Sequence, residues 1–191
     1  MSEQTAHAPG AIRVRPAGHD DAPALRALLD AIVRRGGTTA IEHTPGVLEF
    51  ADWFIDGEGC LTCFVAEADV DTARRAERGT DDGPGAGPDD AAPLGFQAIG
   101  THDALPVGCG DIATFVRVGR TGRGIGRALF ERSVSRAREL GFEALNATIR
   151  ADNAGGLAFY AGLGFVEHDV ARGVPLSDGT PVDRVSMRYP L

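Results

Sequence analysis

The run Val118-Gly119-Arg120-Thr121-Gly122-Arg123-Gly124-Ile125-Gly126 constrains this chain more than any other. It follows a strand-like stretch, Ile112 to Val118, and opens a helix-like stretch that continues to Leu140. A glycine-rich turn at such a junction leaves backbone N–H groups free and lets a ligand approach the main chain closely. The helix dipole adds positive potential at the same point, which favours an anion such as a phosphate. Between Ile112 and Phe130 there are four arginines and no acidic residue, although the chain carries a formal charge of −8. A cationic island in an acidic protein predicts a small phosphorylated ligand.

Composition removes several alternatives. A chain of 191 residues with 43% hydrophobic content fits one ordinary domain with a real core. No apolar run approaches the roughly 20 residues needed to cross a bilayer, so no membrane partner is expected. The polar N-terminus, Met1 to Gly10, lacks the apolar centre of a signal peptide. A disordered segment over 1–10 and a cytoplasmic setting follow as expectations. The acidic balance argues against nucleic acid, which calls for a broad basic face. All nineteen cationic side chains are arginine, which excludes a lysine Schiff base and the phosphate-binding lysine of G-x-x-x-x-G-K-[ST]. Cys60-Leu61-Thr62-Cys63 matches C-x-x-C, yet Leu61 to Glu67 reads as a strand. Residues three apart on a strand face opposite ways, so no metal site is expected.

Helical and strand-like segments alternate along the chain. Ile12 to Arg15 is a short strand, and Asp20-Asp21-Ala22-Pro23 starts a helix with carboxylates at its positive end. Leu25, Leu28, Leu29 and Ile32 give that helix one apolar stripe, and Gly36-Gly37 ends it. A polar loop to His43 precedes a second helix capped at Thr44-Pro45; this loop suits substrate binding. Leu61–Ala68 and Leu94–Gly100 read as strands. Between them, about 69–93 is rich in Asp, Gly, Pro and Ala and reads as a flexible hairpin insertion. A strand over Ile112–Val118, a helix over Gly126–Leu140, a strand over Glu143–Arg150 and a helix over Asn153–Leu163 follow. Phe165–Val170 and Val182–Tyr189 close the list. The pattern predicts an α/β or α+β layered domain over 11–191 around one central sheet.

The glycine turn alone is weak. Its spacing is G-x-G-x-G, and it sits two-thirds along the chain, where the G-x-G-x-x-G of a dinucleotide site would not. A second block, Asn153-Ala154-Gly155-Gly156-Leu157-Ala158-Phe159-Tyr160-Ala161-Gly162-Leu163-Gly164-Phe165, narrows the reading. Taken with the turn, it resembles the GNAT superfamily of acyl-CoA-dependent N-acetyltransferases, over nearly the whole chain. Ile32 to Thr39 with Thr62-Cys63-Phe64-Val65-Ala66-Glu67 looks like the branch related to phosphinothricin acetyltransferase. The resemblance implies a mostly antiparallel central sheet of six or seven strands flanked by about four helices.

It also implies roles. The family turn [QR]-x-x-G-x-[GA] maps onto Thr121 to Gly126, where the amides of Gly122, Arg123, Gly124, Ile125 and Gly126 would bind the pyrophosphate of acetyl-CoA. Thr121 replaces the usual Gln or Arg. The pantetheine arm would lie along Phe115, Val116 and Val118, and an N–H near Phe115 or Val116 would polarise the thioester carbonyl. Asn153 would touch the coenzyme arm and cap its helix. Tyr160 would protonate the departing thiolate.

The acceptor must lose a proton before its nitrogen can attack. Glu42, His43, His102 and Asp111 are candidate bases, with Glu42 first because it lies on the proposed substrate loop. The expected activity is direct acetyl transfer in a ternary complex to a primary amine of a small, amino-acid-like molecule. A non-catalytic acyl-CoA sensor and a protein N-acetyltransferase are the alternatives. Family analogy adds a possible homodimer.

Overall fold

Four leucine and isoleucine side chains at helical spacing, Leu25, Leu28, Leu29 and Ile32, are all buried on one face of α1, Ala22–Arg35. The helix carries proline in its first turn and ends on Gly36 at φ 72°, the start and stop that suit each residue. These positions belong to a computed structural model that describes residues 12–69 and 92–191. The expected terminus at 1–10 and nearly all of the expected insertion at 69–93 lie outside them.

α2 is shorter than its Thr44-Pro45 start predicts. It spans Val47–Ala51 behind Gly46 and runs into a π-helical turn at Asp52–Asp56. Phe50 and Phe54, on facing turns, sit 5.0 Å apart and both pack edge-on against Phe96. That aromatic cluster extends to Phe115, whose ring stacks on Phe96 at 4.7 Å.

Seven strands form one sheet: β1 Ile12–Pro16, β2 Cys60–Ala68, β3 Gly95–Gly100, β4 Cys109–Val116, β5 Ala144–Arg150, β6 Val166–Pro175 and β7 Pro181–Pro190. Their order is β1-β2-β3-β4-β5-β7-β6. Every pairing is antiparallel except β4 with β5. One face of β2, β3 and β4 carries α1 and α2 over the Phe50–Phe96–Phe115 core. The other face carries α3, Ile125–Glu139, and α4, Ala154–Leu163, which bury Phe130, Val134 and Tyr160 against Ile112, Leu145 and Met187. This is the layered, mostly antiparallel fold that the sequence implies.

Two strands differ from expectation. β4 runs Cys109–Val116: it begins three residues before the apolar run, where Cys109-Gly110-Asp111 pairs with β5, and it ends before Val118, which lies in the turn. β6 reaches Pro175 because β7 pairs with it from Val166 to Pro175, with irregularities between Glu167 and Asp169 and between Ala171 and Val174, although most of its residues are exposed. Among the described residues, no helix is long and apolar enough to cross a membrane.

Candidate active site

The parallel pair β4–β5 is short. It holds Cys109, Gly110 and Asp111 beside Ala144, Leu145 and Asn146, and then stops. Beyond that point β4 stays with β3 as far as Val116, while β5 stays with β7 as far as Arg150. The two strands therefore part into a wedge, with unpaired main chain along its β4 side. Strand parity decides which groups line it. Arg117 N–H points to Leu94 O beside β3, whereas Ile112 O accepts the Tyr160 hydroxyl from the wedge side. Groups two apart on a strand point the same way. The Ile112 amide is taken up by the last β4–β5 pairing, so the wedge beyond it is lined by the amides of Thr114 and Val116. Phe115 is a correction to the sequence reading: its main chain faces β3 and its ring is buried in the aromatic core. Of the Phe115–Val116 pair, Val116 offers the free N–H.

The glycine turn closes the wide end of the wedge. Gly124 caps α3 at φ 83°, a left-handed conformation that a side chain would strain. The first helical bond runs from Ala128 N to Gly124 O. The amides from Gly124 to Arg127 are therefore left without intrahelical acceptors. Thr121, Gly122 and Arg123 are exposed, and Val118 is 39% exposed beside them. Ile125 is buried and anchors the turn onto Phe64 and Leu129. A Cβ on Gly126 would lie 2.7 Å from the Phe159 ring. Gly126→Ala is accordingly expected to force the Phe159 ring out of its place between α3 and α4, at about 1–3 kcal/mol. Thermal unfolding and acetyl-CoA titration check this, and both the Tm and the affinity should fall.

α4 supplies two side chains. Asn153 Oδ1 accepts from Gly156 N at 2.9 Å, the cap that the sequence predicts, and its Nδ2 donates to Thr38 O at 2.8 Å. The second bond ties the α1–α2 loop to the start of α4. Tyr160 is buried between Phe159 and Phe165, each 5.0 Å away. Its hydroxyl lies 2.9 Å from Thr114 Oγ1 and donates to Ile112 O at 3.3 Å, inside the wedge. Burial pushes the phenol well above its ordinary pKa, Thr114 pulls it back, and the Asp111 carboxylate pushes it further up. Tyr160 is protonated at neutral pH.

On the opposite face of β4 sits Asp111, where the strands begin to part. Ile112 packs into the α3–α4 core and Ala113 into the α1–α2 core, so alternation puts Asp111 on the α1–α2 side. Asn146 Nδ2 donates to Asp111 Oδ1 at 2.8 Å, and His102 Nε2 lies 3.9 Å from Oδ2. Burial raises the Asp111 carboxyl above the usual carboxylate range, against the Asn146 hydrogen bond and the nearby His102. Asn146 is 2% exposed and fully engaged: it also donates to Thr148 Oγ1 and lies 3.0 Å from His168 Nε2. Sequence reasoning missed Thr114, Asn146 and Gln97. The available signal is a polar residue at an inward position of an otherwise apolar strand.

Glu42 is placed differently. Its carboxylate accepts from Ser177 N at 2.8 Å and from the Ser177 hydroxyl, on the turn between β6 and β7. These bonds hold it below the usual carboxylate range, which weakens it as a proton acceptor. The α1–α2 loop is therefore fastened at two points, Thr38 to Asn153 and Glu42 to Ser177. Among the described residues, no group of three His, Cys, Asp or Glu side chains is arranged to hold a metal. Cys60, Cys63 and Cys109 are free thiols.

A split sheet, a helix start with free amides on α3 and a phenol in the wedge are the parts that an acyl transferase would use. The acetyltransferase (GNAT) family model matches residues 36–165, more than half of the chain. The chain belongs to that family, and it is an N-acetyltransferase whose reaction is acetyl transfer from acetyl-CoA. A search of curated proteins returns no match. Solved structures share the fold at low identity. Ribosomal-protein-alanine N-acetyltransferase from Brucella melitensis is 22% identical with a TM-score of 0.72, covering 94% of this chain and 99% of its own. Phosphinothricin acetyltransferase from Sinorhizobium meliloti, solved with acetyl-CoA, is 19% identical with a TM-score of 0.71, covering 94% and 88%. A protein of Salmonella typhimurium assigned to the acetyltransferases, solved with its cofactor acetyl-CoA, is 19% identical with a TM-score of 0.73, covering 95% and 94%.

Proposed function

We propose that this chain acetylates a primary amine of a small, amino-acid-like molecule by direct attack on acetyl-CoA in a ternary complex. The observation that carries the reading is the placement of Asp111 and Tyr160 on opposite faces of β4 where the sheet splits. A thioester lying in the wedge meets an attacking amine from the α1–α2 side and releases its thiol toward the α3–α4 side.

The amides of Gly122, Arg123, Gly124, Ile125 and Gly126 hold the pyrophosphate. Arg123 is exposed without an ion-pair partner among the described residues and supplies charge that Thr121 does not. The Val116 amide, with Val118 beyond it, guides the pantetheine arm, and the Thr114 and Val116 amides are available to the thioester oxygen. Asp111, with its raised pKa, takes the proton from the acceptor ammonium, directly or through water, and freed nitrogen attacks the carbonyl carbon. As the carbon–sulfur bond breaks, Tyr160 gives its proton to sulfur, and the nitrogen, cationic after its attack, sheds a second proton to leave the neutral amide.

Asp111 thus replaces Glu42 as the base, and Glu42 becomes a fastener of the acceptor loop. Glu42→Gln is expected to leave kcat within about threefold and to raise the acceptor KM, since the loop loses a charge-assisted bond. Steady-state kinetics check the split. The two-point fastening gives the acceptor side one fixed wall, which is compatible with a small molecule. Free thiols at all three cysteines suit a cytoplasmic setting. Pairing into a homodimer rests on the family likeness and is read by light scattering. The primary test is thiol release from acetyl-CoA across a panel of amino acids, small amines and N-terminal peptides. Turnover confined to small amines is expected. Turnover of peptides alone would transfer the reading to protein acetylation, and binding without turnover would make the chain a sensor.

A further inference from the structure

We infer that Gln97 and Thr114 are positioning residues for the proton that Tyr160 delivers, an inference that rests on Tyr160 acting as the acid. Gln97 is 0% exposed in the middle of β3, directly opposite Thr114 on β4. Its Nε2 donates to Thr114 Oγ1 at 2.6 Å, while its Oε1 has no partner. A buried carbonyl without a donor costs about 1–3 kcal/mol by itself. Leucine at this site would avoid that cost, so the stability of the sheet does not account for the glutamine.

Hydrogen bookkeeping gives it a purpose. A threonine hydroxyl has one proton and can also accept. Gln97 donates to one Thr114 lone pair and Tyr160 donates to Ile112 O, so the arrangement that satisfies both points the Thr114 proton at the Tyr160 oxygen, 2.9 Å away. The Tyr160 proton is then turned out of that contact, toward Ile112 O and the wedge. The chain therefore runs one way: Gln97 amide to Thr114, Thr114 to Tyr160, Tyr160 into the wedge. When Tyr160 passes its proton to the leaving sulfur, its oxygen gains negative charge. The Thr114 bond strengthens at that moment because a charged acceptor binds a donor more tightly. The phenolate is recharged by the second proton that nitrogen sheds as the amide forms, while the first leaves Asp111 for solvent, so both groups are reset after one turnover.

The test is a double-mutant cycle on release of the coenzyme A thiol. The acceptor is the fastest amine of the panel, or water if no amine is turned over. Thr114→Val should lower kcat by about 10- to 100-fold, the worth of a hydrogen bond to a charged group. Acetyl-CoA affinity should stay within about twofold, and Thr114→Ser should recover most of the loss. Gln97→Leu should lower kcat by about three- to tenfold with the Tm unchanged or raised. In the Tyr160→Phe background both substitutions should have no further effect on kcat. Losses that persist undiminished in that background, or a Gln97→Leu chain that loses Tm and kcat together, would overturn the inference. If Tyr160→Phe alone leaves kcat unchanged, the assignment of Tyr160 fails first.

Discussion

Replacing Tyr160 with phenylalanine is expected to lower kcat by about 100- to 10,000-fold, the range of general acid catalysis, while acetyl-CoA still binds. The ring is held by Phe159 and Phe165 at 5.0 Å on each side, and phenylalanine keeps those contacts. What is lost is one hydroxyl, with its bonds to Thr114 Oγ1 and Ile112 O. The coenzyme is expected to bind through the amides of the glycine turn, on a different element, so its affinity should change little. Leaving the Ile112 carbonyl without a donor costs about 1–3 kcal/mol, and at this chain length each kcal/mol moves the Tm by about 2–4 °C. Turnover measured well below the lowered Tm separates the two effects. Calorimetric titration with acetyl-CoA supplies the binding arm, and an unchanged kcat would remove Tyr160 from the reaction.

The placement of the candidate donor-side residues is legible in the sequence because local rules specify it. A strand, a glycine turn and a helix start are contiguous, and each leaves its mark within a few residues: positive φ at Gly122 and Gly124, then the buried Ile125. Asn153 and Tyr160 are readable for the same reason, as a cap and a residue seven positions later on one short helix. The acceptor half depends on contacts far apart in the chain. Glu42 meets Ser177 across 135 positions and Asn153 meets Thr38 across 115. No periodicity reports such a pairing. Phe115 shows a finer limit. Its place on β4 is readable, but the direction of its main chain depends on which neighbour β4 pairs with, and that follows from the sheet order.

The point where β4 and β5 part also makes Asp111 expensive, and this yields the second large effect. Asp111→Asn is expected to lower kcat/KM by about 100-fold or more at neutral pH, since the amide cannot take a proton from the acceptor. Stability should move the opposite way. Burial raises the Asp111 pKa in the folded chain above its unfolded value. A carboxyl shifted upward costs nothing below the unfolded pKa, where both states are protonated. The cost grows as pH rises from there and is complete above the folded pKa. Asparagine carries no such cost and still accepts the bond from Asn146 Nδ2. The variant should therefore match the parent Tm near pH 3–4 and exceed it at pH 8. The parent enzyme should lose kcat/KM as pH falls through the raised Asp111 pKa, and that acid limb should vanish from the residual activity of the variant. A lower Tm at pH 8, or an acid limb that survives the substitution, would return the base to another group. His102, at 3.9 Å from the same carboxylate, is the next to replace.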